Sequence, residues 1–253
     1  KNPKIEAFLA LNKRKQYIHG ATWSAVVAIT LMILAGLYMN RRVMTNKLVD
    51  MIPYQLEVKA GDKILEALFP GGKKLSDKTV LDELRTMLAP LSKPIENKGP
   101  FRFKIHILND STVNAFALPG AHIAFNSGLL MKAKTAEEVL GVAAHEMAHV
   151  TQRHVAKSLL RGIGVFLLAQ TLLGDYTGII AILVDNASFL MNQSFSREHE
   201  EEADRIGLRR LLEAGISPMG MVEFFRGLIE NDQTKNPHPQ TKTSPEDSEG
   251  VNS

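Results

Sequence analysis

The chain has 253 residues, 45% of them hydrophobic, which is material for one domain with appendages and a sizeable core. Its formal net charge is only +3 and its Lys and Arg residues are dispersed, so no nucleic-acid partner is expected. It has no cysteine, which excludes disulfides and thiolate metal sites and leaves His, Asp and Glu as the available metal ligands.

Residues 1–20 form a polar N-terminal segment. Ala21 to Met39 then carries no charge. At 1.5 Å per residue such a helix is about 28 Å long, close to a hydrocarbon core of about 30 Å. Trp23 and Tyr38 sit near its ends, and Lys13-Arg14-Lys15 and Arg41-Arg42 bracket it. A polar segment precedes it, and no small-x-small cleavage site follows before Arg41, so residues 21–40 read as a retained transmembrane anchor rather than a signal peptide. The chain is therefore expected to be a single-pass membrane protein in contact with lipid. Basic residues are slightly more numerous before the span than after it. This places the N-terminus inside and the following domain outside the cytoplasm, on the periplasmic side in a bacterium. Residues 41–59 are expected to be a linker, and 60–231 the main domain.

Within that domain, Asp77 to about Leu91 reads as an amphipathic helix with Val80, Leu81, Leu84, Met87 and Leu88 on one side, bounded by Pro90 and Pro94. Phe101 to Leu108 alternates as a strand, Asn109-Asp110-Ser111 turns it, and His122 to Asn126 reads as a second strand. His106 and His122 are expected to be ordinary strand residues.

Thr135-Ala136-Glu137-Glu138 is a capping box opening a helix over about 135–156, with Val139, Leu140, Val142, Ala143, Met147 and Val150 as its apolar stripe. Gly141 leaves room for another backbone to approach. His145-Glu146-Met147-Ala148-His149 lies inside this helix and reads H-E-x-x-H. Residues four apart on a helix share a face, so two imidazoles can grip one ion, and zinc suits that spacing. Glu146 lies about 100° further round, where a general base for a metal-activated water belongs. His154, nine positions from His145, is expected half a turn off the ligand face.

A second apolar stretch, 162–184, is interrupted by Gln170, Gly174 and Asp175. A single crossing would put His149 and any downstream ligand on opposite sides of a bilayer, and two crossings need about forty residues. It is therefore expected to be a helical hairpin, packed on the domain or dipping into the membrane surface. Ser196 to about Gly215 reads as a helix whose first turns are acidic. A catalytic zinc needs a third protein ligand. Spacing alone does not choose among Glu198, Glu200, Glu201 and Glu202, although Glu200 and Asp204 share a face. Ser217-Pro218 starts a last helix running to about Glu230. The polar stretch 232–253 is expected to be a disordered tail.

H-E-x-x-H followed some fifty residues later by S-R-x-x-E-x-E-A-D-x-x-G resembles the membrane-associated zinc metallopeptidases of the HtpX, Oma and BepA/LoiP kind, which are related to the CaaX prenyl endopeptidases. Asn114 to Gly120, His122-Ile123 through Gly128-Leu129-Leu130, and Ala214 to Pro218 extend the resemblance, which covers about residues 60–230. It implies one zinc ion per chain on His145, His149 and Glu200, with Glu146 as base and Asp204 orienting a ligand histidine. It further implies a mainly helical α+β fold of the zincin-like type, with a small sheet whose edge strand borders the active-site helix. In that arrangement the strand at His122 would hold an extended protein or peptide substrate, with Gly120, Ala121, His122, Ile123 and Ala124 in contact with it. The family usually continues with a Thr-His-Pro segment and an arginine. Here Asn236-Pro237-His238-Pro239 has no arginine after it. His238 is the candidate oxyanion partner or plug on that basis.

The expected function is a membrane-anchored, zinc-dependent endopeptidase acting on misfolded or membrane-associated proteins. The alternative is a scaffold or chaperone-like binder with a latent metal site. The presence of Glu146 speaks against it, because a structural ion needs no base. The oligomeric state is not legible.

Overall fold

The computed structural model of the protein describes residues 22–33, 35–36, 39–69, 77–163 and 195–235. The chain divides into two compact units between Ile52 and Pro53.

In the first unit, residues 22–33 are helical and exposed throughout, among them Trp23, Val26, Val27, Ile29 and Leu31. Helix α1 spans Arg41–Met51. Among the described residues no helix is long and apolar enough to cross a membrane. Residues 21, 34, 37 and 38 of the expected span lie outside the described residues.

The second unit starts at Pro53, ahead of the expected boundary at residue 60, because helix α2 (Tyr54–Leu68) already belongs to the core through Ala60, Ile64 and Leu65. Helix α3 spans Lys78–Lys98 and begins at Asp77, whose carboxylate accepts from the Thr79 and Val80 N–H groups. It runs through Pro90 and Pro94 instead of stopping there. Both prolines are exposed, so the carbonyls they strip of partners face water. Leu84, Leu88 and Leu91 keep one buried stripe across the first of them.

Three short strands follow: β1 (Lys104–Leu108), β2 (Ala115–Leu118) and β3 (His122–Asn126), in the order β1-β3-β2. β3 runs parallel to β1 and antiparallel to β2. The strand at His122 is therefore the centre of the sheet, with both of its edges paired; β1 and β2 are the outer strands, and β2 is the one beside the helix of His145 and His149. The β2–β3 connection turns through Gly120 and Ala121, both at positive φ (74° and 64°). A β-carbon on Gly120 would lie 2.4 Å from the Val58 Cα, so the backbone that approaches Gly120 is that of α2, not of a substrate. Ala121, Ile123 and Ala124 are fully buried, and His122 nearly so. Residues 120–124, the expected substrate contacts, thus lie in the buried centre of the sheet.

Helix α4 (Ser127–Lys132) leads to α5 (Ala136–Thr151), the centre of the unit, buried at every position from Glu138 to Val150. Its cap is the expected Thr135, whose hydroxyl accepts from the Glu138 N–H. Glu138 reaches back to the Lys134 N–H, one residue beyond the usual capping-box partner. The helix does not continue to 156. Arg153 takes a left-handed φ of 54°, and a new helix, α6 (His154–Ile163), starts there. The Arg153 Nε–H donates to Glu57 of α2 at 2.7 Å, which anchors the break. Residues 164–184 of the expected hairpin lie outside the described residues.

Helix α7 (Arg197–Glu213) ends as expected at Gly215, where the Ile216 N–H bonds the Leu211 carbonyl and the Gly215 N–H bonds that of Leu212. Helix α8 (Met219–Lys235) starts after Ser217-Pro218 and covers 232–235, so the polar tail begins later than Asp232. The remainder, with His238, lies outside the described residues.

Close backbone contacts set these helices on α5. A β-carbon on Gly141 would lie 2.6 Å from the Met221 Cα of α8. Gly141→Ala is expected to lower stability by about 1–3 kcal/mol through overpacking, although alanine favours a helix by about 1 kcal/mol over glycine. Urea unfolding of the variant measures this, and an unchanged or raised midpoint would contradict the contact.

Candidate metal centre

One turn of α5 separates His145 from His149, and both rings project from the same side. Their Nε2 atoms stand 2.9 Å apart. Helix α7 supplies the third donor. Its face Ala203-Gly207-Leu211 is buried against α5, and a β-carbon on Gly207 would lie only 3.2 Å from the His145 backbone nitrogen. Asp204 and Glu200 stand about one and two turns N-terminal of Gly207, near that face, and so arrive beside the histidines. Glu200 Oε2 lies 3.4 Å from His145 Nε2 and 3.8 Å from His149 Nε2. Asp204 Oδ1 lies 2.9 Å from His145 Nδ1.

The three donors fit one ion. Ligands at 2.0–2.1 Å around a tetrahedral zinc are roughly 3.3 Å from each other. The observed separations of 2.9, 3.4 and 3.8 Å bracket that value. Among the described residues, His145, His149 and Glu200 are the group of His or acidic side chains placed to hold a metal. Two imidazoles and a carboxylate suit zinc and its first-row neighbours. Electrostatics agree. Burial alone would depress the His145 pKa, but hydrogen bonds to Asp204 and Glu200 raise it to about 10. Hydrogen bonds to His145 and then His149 hold Glu200 well below the usual carboxylate range. The pocket thus favours positive charge among its donors.

Glu146 is buried in the wall of the same cleft. Desolvation pushes its pKa up, the positive imidazoles of His145 and His149 oppose this, and Glu200 adds to it. The backbone N–H of Ala117 in β2, turned towards it, favours its charged form. That orientation follows from strand register. The Asn126 N–H bonds the Asn114 carbonyl, so alternation turns Phe116 and Leu118 towards β3, and Ala115 and Ala117 towards the open edge. Ala115, Ala117, Glu146, Val155, Phe195 and Glu200 line a cleft of about 200 Å³ containing the three donors.

Several neighbours escaped the reading of the sequence. Phe195 stacks on His149, with ring centroids 4.1 Å apart and 20° between planes. His154, fully buried, has Nδ1 3.0 Å from His149 Nδ1 and Nε2 3.1 Å from Glu202 Oε2. An unbroken helix would have carried His154 away from the ligands, and nothing in Gln152-Arg153 signals the break. Asn114 to Ala117 belonged to the quoted motif, yet the motif alone did not reveal which strand lies at the edge. His106 and His122 are, as expected, strand residues outside this centre, their rings stacked 5.1 Å apart.

Comparison with known proteins gives this geometry a context. Residues 78–244 match the model of peptidase family M48. The chain is similar to the beta-barrel assembly-enhancing protease of Escherichia coli K12, with 27% identity over 69% of this chain and 38% of that protein. It is 38% identical to the mitochondrial metalloendopeptidase OMA1 of Arabidopsis thaliana over 46% of this chain and 24% of that protein. It is 35% identical to the metalloprotease LoiP of Escherichia coli K12 over 52% of this chain and 53% of that protein. The chain thus spans about a third of the length of the beta-barrel assembly-enhancing proteases it matches. With a family match across most of the chain and a His-Glu-His helix facing a glutamate on a second helix, the protein belongs to peptidase family M48.

Proposed function

We propose that this chain is a membrane-anchored, zinc-dependent endopeptidase. The observation that carries the reading is the position of Glu146, a buried carboxylate beside three converging metal donors and beneath an open strand edge. His145, His149 and Glu200 would hold one zinc ion, which when bound acidifies water and polarises a carbonyl. Glu146 takes the proton of the attacking water and returns it to the departing nitrogen. Its raised pKa brings it nearer the operating range of a general base at neutral pH. Asp204 accepts the His145 Nδ1 proton, leaving the Nε2 lone pair for the ion.

The substrate is a protein segment in extended form, laid along β2 rather than β3. On β2 the N–H and C=O of Ala115 point away from β3, and among the described residues no strand pairs with them. Exposure of the helical residues 22–33 around their whole circumference supports attachment to lipid, since an apolar helix without a polar face needs apolar surroundings. The balance of basic residues around that stretch supports a catalytic unit outside the cytoplasm. The substrate class proposed is misfolded or membrane-associated proteins, in quality control; one relative is named for enhancing beta-barrel assembly.

The test is metal analysis of the purified protein together with digestion of casein, with and without a chelator. One equivalent of zinc and chelator-sensitive cleavage are expected. Glu146→Gln should keep the zinc and lose cleavage by about 10²–10⁴-fold. Parent-like cleavage by that variant would remove Glu146 from the mechanism. Ala115→Pro deletes an open-edge N–H without touching the β3 ladder. It is expected to raise KM about three- to tenfold at unchanged zinc content, the worth of one hydrogen bond. An unchanged KM would place the substrate elsewhere.

A further inference from the structure

We propose that Glu202 and His154 are positioning residues that fix the proton and the ring of His149, so that its Nε2 lone pair stays aimed at the metal position. The inference rests on the metal centre proposed above and adds two residues to it.

The argument follows the protons. His149 Nε2 faces His145 Nε2 at 2.9 Å and Glu200 Oε2 at 3.8 Å, so Nε2 is the ligand atom. A neutral imidazole with a lone pair at Nε2 carries its hydrogen at Nδ1. The partner at hydrogen-bond distance from that hydrogen is His154 Nδ1, 3.0 Å away. His154 must then accept at Nδ1, which places its own hydrogen at Nε2. There Glu202 Oε2 waits at 3.1 Å. The carboxylate has no hydrogen to give and accepts only. Each link therefore leaves one tautomer to the next, from Glu202 through His154 to His149.

The rings are held as firmly as the protons. His154 is fully buried and lies parallel to His199, with centroids 4.1 Å apart and 5° between planes. It meets His149 edge-on, at 5.0 Å and 72°. Phe195 covers a face of His149. The chain reaches this arrangement by leaving the α-helical path at Arg153, which returns the His154 ring to its neighbour one turn back. The two ligand histidines thus receive different support. His145 meets Asp204 directly, and His149 meets Glu202 through a second imidazole. Outer partners of this kind set the basicity and orientation of the ligand ring, and their loss typically weakens metal binding by about 10–100-fold.

The experiment measures zinc affinity of the full chain by competition with a chromophoric chelator, alongside far-UV circular dichroism and the spectrum of the cobalt-substituted protein. His154→Leu fills the space without an acceptor and is expected to weaken zinc binding about 10–100-fold and alter the cobalt spectrum, with the fold retained. His154→Asn offers a carbonyl oxygen in place of Nδ1 and is expected to recover most of the affinity. Glu202→Leu should weaken binding alone and add little to His154→Leu, because both break one chain of bonds. Glu202→Gln still offers an acceptor and should do less harm than Glu202→Leu. Parent-like affinity in a folded His154→Leu, or an Asn variant no better than Leu, overturns the relay. Should His154→Leu fail to fold, equal affinities for Glu202→Leu and Glu202→Gln would overturn it instead. A parent chain that takes up no zinc overturns the metal centre itself, a distinct result from variants that bind as the parent does.

Discussion

The close approach of α7 to α5 at Gly207 is the contact on which the centre depends. His145 and His149 can converge through local helix geometry alone. The carboxylates cannot, because some fifty residues of chain separate them from the histidines. A β-carbon at 207 would press on the His145 backbone at 3.2 Å, and one of the two helices would have to give by a few tenths of an ångström to admit it. Once the helices meet, the charges reinforce one another. His145 is driven towards protonation and Glu200 towards ionisation, each by the other and by their neighbours. Two imidazole nitrogens facing 2.9 Å apart need a hydrogen or a metal ion between them, because two bare lone pairs would repel.

The outer edge of β2 faces the same centre. The Ala117 backbone N–H points to that side and favours the charged form of Glu146. Ala115, Ala117 and Glu146 line one cleft. The cleft between them is small, about 200 Å³, which suits a main chain drawn out in extended form. Pairing on both sides of β3 has the complementary effect: it makes the most buried strand the centre of the sheet and leaves the outer edge of β2 unpaired among the described residues.

Part of the support comes from outside the segment that matches the family. Helix α2 precedes residue 78, yet its Val58 backbone fills the space beside Gly120, and its Glu57 holds the Arg153 side chain at the break between α5 and α6. Burial raises the Glu57 pKa, and the Arg153 guanidinium opposes that rise by favouring the charged carboxylate. The break itself brings His154 back to His149, so α2 acts on the centre at one remove.

Much of the centre was legible in the residues. Thr135 and Glu138 announced the start of α5, the apolar spacing announced its phase, and H-E-x-x-H placed two candidate ligands and a candidate base on it, because all of these are local properties of one helix. Gly215 and Ser217-Pro218 likewise marked the ends of α7 and α8 through turn and cap chemistry. Residues close in sequence could not reveal three things: which strand stands at the edge of the sheet, where α5 stops, and what backs His149. Strand order depends on long-range pairing that alternation does not encode, so β3 was mistaken for an edge. The prolines of α3 suggested an end that solvent exposure made unnecessary. The break at Arg153 depends on Glu57, almost a hundred residues away, and no local propensity carries that information. Sequence alone determined the chemistry on offer, because side-chain type and helical phase are local. Tertiary structure alone decided which groups meet, because that follows from how closely distant backbones can pack.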